Sequence, residues 1–315
     1  MTERPMVHIG YHRTATTWFQ QRFYPLVRSG AWIPREAARL ALIAPRAFDF
    51  DPDAARAALD AAAASAGLPD ARKLICEENL SGYLHNGGLG GLLSREMARR
   101  IQATLPDADI VVFLRAQPAM VAAAYAQYVR GGGTHGPERY VRAQELVHGA
   151  SRHWYKAPLF ALDHFDYAPL LNHYAALFGR KRVHVFLFEA FAANPGGFLR
   201  RFVDALELDV DLEAIDTTAV NASLSPARLT VLRRLNLLTA RSVLDKRTLV
   251  SLRGWHDARW VWLDRLSPPR PHAATAPEAV LGPELAKAVA ERFAGCNRRL
   301  ARDWDLPLAD HGYPG

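Results

Sequence analysis

Cysteine is nearly absent from this chain of 315 residues, occurring only at Cys76 and Cys296. Two thiols make at most one bridge, so a disulfide framework is not expected and a reducing compartment suits the chain. Also missing is any run of about 18–20 apolar residues, which removes a membrane-spanning helix from consideration. No apolar leader precedes the first apolar segment, and a cytoplasmic location is the expectation. Lysine is scarce beside arginine, standing only at Lys73, Lys156, Lys181, Lys246 and Lys287. There is no internal repeat, and no recognisable nucleic-acid motif accompanies the arginines.

What the chain does have is a 50% hydrophobic composition, enough for a large core, and a formal charge of +7 that favours anionic ligands. Cys76, inside an apolar run, reads as a small buried hydrophobe. Short apolar runs at residues 6–11, 73–77, 109–115 and 182–188 alternate with helical stretches. That rhythm predicts an α/β fold with a parallel sheet and crossover helices. The Ala-rich residues 53–66 predict a helix capped by Asp51 or Asp53 and stopped at Gly67 before Pro69. The glycine-rich stretches 86–91 and 131–133 read as flexible turns. After about Ser225 the strand signal fades, and Arg228, Arg233, Arg234, Arg241, Lys246, Arg247, Arg253, Arg259 and Arg265 are spread among leucines and tryptophans. This predicts a helical lobe, followed by a stiff linker at 267–271 and a last helix over 282–303. The whole is read as one domain, with a core over about 1–220 and the lobe over about 221–315.

The chemistry concentrates at Val7-His8-Ile9-Gly10-Tyr11-His12-Arg13-Thr14-Ala15-Thr16-Thr17-Trp18. An apolar strand enters a small, hydroxyl-rich turn that opens a helix, the arrangement of a phosphate-binding loop. It departs from GxxxxGK[ST], since Ala15 stands at the second glycine and Thr16 at the lysine, leaving Arg13 as the nearby cation. The third strand ends in Arg115, where a nucleotide triphosphatase often carries a magnesium-holding acid. Arginine there clamps phosphate and repels a metal, so no metal is expected.

Residues 8–18 resemble the 5′-phosphosulfate loop of sulfotransferases that use 3′-phosphoadenosine-5′-phosphosulfate (PAPS), written PKxGTTxL or PKSGTTW. Phe113-Leu114-Arg115-Ala116-Gln117-Pro118, continuing to Tyr125-Ala126-Gln127-Tyr128, resembles the family's 3′-phosphate element. Residues 186–191 with Asn194-Pro195 and residues 198–202 are similar to its YEDLxxxPxxxLxxLxxFLGL segment. Ile75-Cys76-Glu77-Glu78-Asn79-Leu80-Ser81 is similar to the SSExLSG strand end of bacterial and glycan-type members. Weaker echoes fall at 221–223 and 297–314.

The resemblance implies a P-loop nucleotide-hydrolase-like fold and sulfuryl transfer from PAPS to a hydroxyl or amine of a small-molecule, glycan or peptide acceptor. It implies that Arg13, at the family's lysine, stabilises the leaving group, and that Glu78 is the general base with Glu77 as runner-up. Two adjacent strand residues face opposite ways, so only one glutamate is expected in the cleft. Donor contacts are implied for His12, Arg13, Thr14, Ala15, Thr16, Thr17 and Trp18, with the Thr16 and Thr17 hydroxyls on the phosphosulfate. His12 stands where the family has proline and reads as a loop-edge residue. Ala15 replaces a glycine, and its methyl predicts an ordinary right-handed backbone. Trp18 packs against the nucleotide or into the core.

Arg115 is assigned to the 3′-phosphate. The family's companion serine falls at Ala123, whose missing hydroxyl is either unreplaced or supplied by Tyr125 or Gln127. Phe188 matches an aromatic near the adenine, with a core role as the alternative. His85, in a glycine-rich loop, is a poor match to the histidine base of small-molecule members. Competing readings are a P-loop kinase, a non-catalytic PAPS or nucleotide binder and, on charge alone, a nucleic-acid module.

Overall fold

The computed structural model describes residues 4–149, 153–218, 224–238, 254–255, 258–259, 261 and 275–315. Five strands form one all-parallel sheet: β1 Met6–Gly10, β2 Ala31–Trp32, β3 Lys73–Cys76, β4 Asp109–Leu114 and β5 Val183–Leu187, in the order β2-β3-β1-β4-β5. The fold is the expected α/β arrangement. β1 lies at the centre, flanked by β3 and β4, so the turn that leaves it emerges between the ends of two neighbours. Ligand sites of open parallel sheets lie at such carboxyl ends.

The chain divides into two compact units. The first comprises residues 1–83, 91–115 and 166–218 and holds the whole sheet. Its strands are apolar because helices cover both faces. In β4 all residues from Ile110 to Leu114 are buried. Phe113 packs at 5.0 Å from Phe19 and 5.5 Å from Phe186, and Phe186 at 4.9 Å from Phe202. Each such ring contributes about 1.5–3 kcal/mol by leaving water. His8 takes one place in this core, stacked 4.9 Å from Phe113 and hydrogen-bonded to the Tyr24 hydroxyl at 2.9 Å. Burial lowers its pKa to about 3, so it is a neutral packing residue.

The Ala-rich helix runs Pro52–Ser65, with Asp51 as its cap, accepting from the amides of Asp53 at 2.9 Å and Ala54 at 3.2 Å. β3 stops at Cys76, one residue earlier than expected, because Glu77 turns the chain into the 3₁₀ segment Glu78–Ser81 and accepts from the Asn79 amide. Cys76 is buried as expected.

The second unit comprises residues 84–90, 116–165 and 219–315. Its described residues form helices and turns, including Gln117–Arg130, Pro226–Leu235 and Pro283–Trp304. Tyr128 stacks on Tyr140 at 4.6 Å, and Tyr140 packs 4.4 Å from Phe160. Gln117 and Asn297 exchange reciprocal amide hydrogen bonds of 2.8 and 2.9 Å. Parts of the glycine stretches are packed, while Gly90 and Gly91 are exposed. Gly87 and Gly88 are buried, and a Cβ on Gly133 would collide with the Tyr128 ring. Asn236 closes that turn by donating to the carbonyls of Val129 and Gly133 at 2.8 and 2.7 Å. Arg241, Lys246, Arg247, Arg253, Arg265, the 267–271 linker and residues 221–223 lie outside the described residues.

Candidate functional site

β1 ends at Gly10 in a left-handed conformation (φ 85°), and its register against β4 slips between His8 and Gly10. The turn that follows alternates hands, with Arg13 at φ 64° and Ala15 at φ 66°. Ala15 is therefore left-handed, contrary to the right-handed conformation expected from its methyl group. A non-glycine residue there costs about 1–2 kcal/mol, and hydrogen bonds within the loop and from Arg115 offset it. Thr14 and Thr16 both donate from Oγ1 to the Tyr11 carbonyl, at 2.5 and 3.3 Å, and Arg115 donates from Nη1 to the Arg13 carbonyl at 2.9 Å. Alternating hands turn successive amides toward a common point, the geometry of an anion nest.

A helical turn, Thr16–Trp18, starts directly after Ala15 and continues as a π-helical turn over Phe19–Phe23. Its first amides have no intrahelical acceptor and face outward from the helix start. Thr16 is buried with its hydroxyl committed to the loop, whereas Thr17 is half-buried and its hydroxyl has no partner among the described residues. Of the two threonines expected on the phosphosulfate, Thr17 alone has a hydroxyl to offer. Trp18 is buried 4.9 Å from Phe191 and 5.1 Å from Phe19, which is the core position.

Arg115 follows β4 directly. Its guanidinium lies 4.6 Å over the Phe188 ring, and its own carbonyl accepts from the Tyr167 hydroxyl at 2.6 Å. Phe188 and Tyr167 thus fix a cation whose one nitrogen braces the loop. Ala123 and Tyr125 belong to the second unit, where the Tyr125 hydroxyl donates to the His135 carbonyl at 3.2 Å. Burial pushes Tyr125 up to about 12. His85, also in the second unit, is buried and hydrogen-bonded to the Tyr140 hydroxyl at 2.8 Å, not a loop-surface residue.

The acids after β3 complete the site. A Cβ on Gly10 would stand 2.9 Å from the Cα and Cβ of Glu78, so the bare glycine lets this carboxylate-bearing turn press against the strand end. Glu77 and Glu78 do not point to opposite sides as strand geometry predicts, because the strand has already ended. Arg35 reaches both, donating from Nε to Glu77 Oε2 at 2.7 Å and from Nη2 to Glu78 Oε1. Arg39 donates to Glu77 Oε2 at 2.7 Å, and Asn79 gives Glu77 Oε1 its amide at 2.9 Å and its Nδ2 at 2.6 Å. Burial would raise Glu77, yet the donors from Arg35, Arg39 and Asn79 outweigh it and hold the carboxyl below the ordinary range. Glu78 is raised instead, first by burial and then by the Glu77 charge, against the pull of Arg35. Its Oε2 is buried with no hydrogen-bond partner.

His12 is buried, not at the loop edge, and its Nε2 meets Asn79 Oδ1 at 3.1 Å. Since Asn79 Nδ2 is spent on Glu77, Oδ1 accepts and His12 Nε2 carries the proton, an assignment made from the network. Burial lowers His12 to about 4, leaving a neutral ring with a bare, buried Nδ1.

Sequence reasoning missed Arg35 and Arg39. They stand one helical turn apart on Arg35–Leu42, and that i, i+4 spacing opposite two consecutive glutamates was the available signal. Among the described residues no group of three metal-ligating side chains converges, and no helix is long and apolar enough to cross a membrane.

No protein-family model matches the chain, and no curated protein does. Among solved structures it is similar to a sulfotransferase from Alicyclobacillus acidocaldarius, with 19% identity, 81% of this chain and 99% of that one covered, and a TM-score of 0.47. It is also similar to the sulfotransferase domain from the curacin biosynthetic pathway, with 9% identity, 93% and 98% covered, and a TM-score of 0.39.

Proposed function

We propose that this protein is a sulfotransferase that takes its sulfuryl group from PAPS and delivers it to a hydroxyl or amine of a small-molecule, glycan or peptide acceptor. The observation that carries the reading lies within one compact unit. An anion nest without a lysine sits against a buried carboxylate that keeps one oxygen unpartnered.

The residues fit such a donor. The amides at the start of the Thr16–Trp18 turn, the Thr17 hydroxyl and Arg13 would hold the 5′-phosphosulfate. Arg115 would take the 3′-phosphate, with Phe188 fixing its plane. When bound, the donor supplies the sulfuryl group and a bisphosphate that departs with the electron pair of the broken bond. Transfer of this kind depends chiefly on positioning and charge neutralisation, as phosphoryl transfer does. Arg13 keeps its proton, so it steadies charge on the departing phosphate electrostatically rather than by protonating it. Glu78 accepts the proton of the attacking hydroxyl at Oε2, a task suited by its raised pKa. His12, neutral and hydrogen-bonded to Asn79, holds the loop to the glutamate turn.

Calorimetric titration with 3′-phosphoadenosine-5′-phosphate (PAP), with ATP–magnesium as competitor, tests the reading. Micromolar binding that weakens in Arg115→Ala and is not displaced by ATP–magnesium is the expected result. Preference for ATP–magnesium, or no binding of PAP, overturns it.

A further inference from the structure

Glu77 and Glu78 are neighbours in sequence but receive unequal shares of the surrounding donors. Glu77, fully buried, accepts from Arg35, Arg39, the Asn79 amide and Asn79 Nδ2, so both of its oxygens are occupied. Glu78 has one side-chain donor, Arg35, which reaches Oε1, and Oε2 stays bare in the interior. Arg35 is the side chain common to the two. It and Arg39 are about one-third exposed, at 34% and 35%, with their guanidinium groups reaching inward from the same helix face.

We infer that Arg35 is a positioning residue: by holding Glu78 Oε1 while sharing Glu77 with Arg39 and Asn79, it selects Glu78 Oε2 as the proton acceptor and reserves Glu77 as a fixed counter-charge. The selection is a property of the cluster itself; only the purpose of the accepted proton rests on the sulfotransferase reading. In that reading the acceptor's O–H proton moves to Oε2 and its bonding pair stays on the acceptor oxygen. That oxygen bonds to sulfur as the bond from sulfur to the 5′-phosphate breaks toward the phosphate.

The charged and titratable groups around Glu78 are few. From its own turn there is Glu77, from the Arg35–Leu42 helix Arg35 and Arg39, and from β3 the Cys76 thiol. β1 presents only Gly10 at this point. His12 is held by Asn79 and is neutral, so it adds no charge. Removing Arg35 leaves Glu77 with Arg39 and Asn79 but takes from Glu78 its cationic donor, leaving only its own backbone amide. A carboxyl deprived of a cation beside a like charge holds its proton to higher pH.

The test is a carboxyl carbon-13 NMR titration of glutamate-labelled protein, with Glu78→Gln and Glu77→Gln assigning the two signals. In Arg35→Ala the Glu78 midpoint is expected to rise by about one pH unit while Glu77 stays below the ordinary range. Arg35→Lys should restore most of the shift, and Arg39→Ala should move Glu78 by less than half as much. Arg35→Gln, which keeps a neutral donor, carries the same expectation of a rise if the alanine variant fails to fold. An unmoved Glu78 midpoint in the Arg35 variants, or an equal movement in Arg39→Ala, overturns the inference. PAP calorimetry on the same samples separates the two claims. Absence of PAP binding in the wild type defeats the sulfotransferase reading, whereas PAP binding with an unmoved midpoint defeats only the role of Arg35.

Discussion

Gly10 and Glu78 approach so closely that a single methyl on the former would stand 2.9 Å from the latter's Cα and Cβ. Gly10→Ala therefore combines a left-handed backbone, worth about 1–2 kcal/mol, with displacement of the glutamate turn. Urea unfolding should show a loss of at least that size. The bare glycine thus ties the strand end to the acid, so sulfuryl transfer should fall more steeply than stability accounts for.

Arg115 braces the loop through the Arg13 carbonyl, and in the proposed function it also takes the 3′-phosphate. Arg115→Lys retains a charge but not the fork that reaches Arg13 O and lies over Phe188. Loss of one charge-assisted hydrogen bond costs about 1.5–3 kcal/mol, so PAP affinity should drop roughly 10- to 100-fold by calorimetry. Adenosine-5′-phosphate, lacking the 3′-phosphate, should lose far less. An equal loss for both ligands would place Arg115 in loop bracing alone.

The two glutamates predict opposite stability effects. Glu77 has a lowered folded pKa, so its contribution is present above the ordinary glutamate value and is lost as pH falls through the folded one. Glu78 has a raised pKa, so its protonated form favours the fold, and that contribution disappears as pH rises through the folded value. At neutral pH Glu77→Gln should destabilise by about 3 kcal/mol, since it leaves Arg39 without its buried partner and Arg35 with Glu78 alone. Glu78→Gln should leave stability unchanged or raise it while abolishing turnover. Chemical denaturation at pH 7.5 compares them directly.

Gln117 and Asn297 make a test in the second unit. Asn297 also donates to the Pro314 carbonyl at 3.0 Å. Asn297→Leu leaves the buried Gln117 Oε1 without its donor, with an expected cost of about 1–3 kcal/mol. Hydrogen exchange should show faster opening of the Pro283–Trp304 helix and of the backbone after it.

Much of the site was legible in the order of residues. β1 and β4 are continuous apolar runs, and the turn after β1 announces itself by its small residues and hydroxyls. The adjacent acids stood out for the same reason. What stayed hidden was decided by contacts distant in sequence. Ala15 adopts a left-handed backbone in a loop that Arg115 clamps from 102 residues away through the Arg13 carbonyl, which no local propensity encodes. β2 is two residues long, too short to show a period. The paired use of Arg35 follows from β3 stopping at Cys76, which ends the alternation of faces one residue before it would have separated the glutamates.

Among the described residues, the positive charge of the loop and of the glutamate turn beside it comes from guanidinium groups: Arg13, Arg35, Arg39 and Arg115. The nearest lysine in sequence, Lys73, opens β3 at the strand's other end, paired with Asp60 at 2.6 Å. An amine-reactive dye on Lys73 should therefore leave PAP binding unchanged. Dicarbonyl reagents that condense with guanidinium should silence it, and bound PAP should slow that loss.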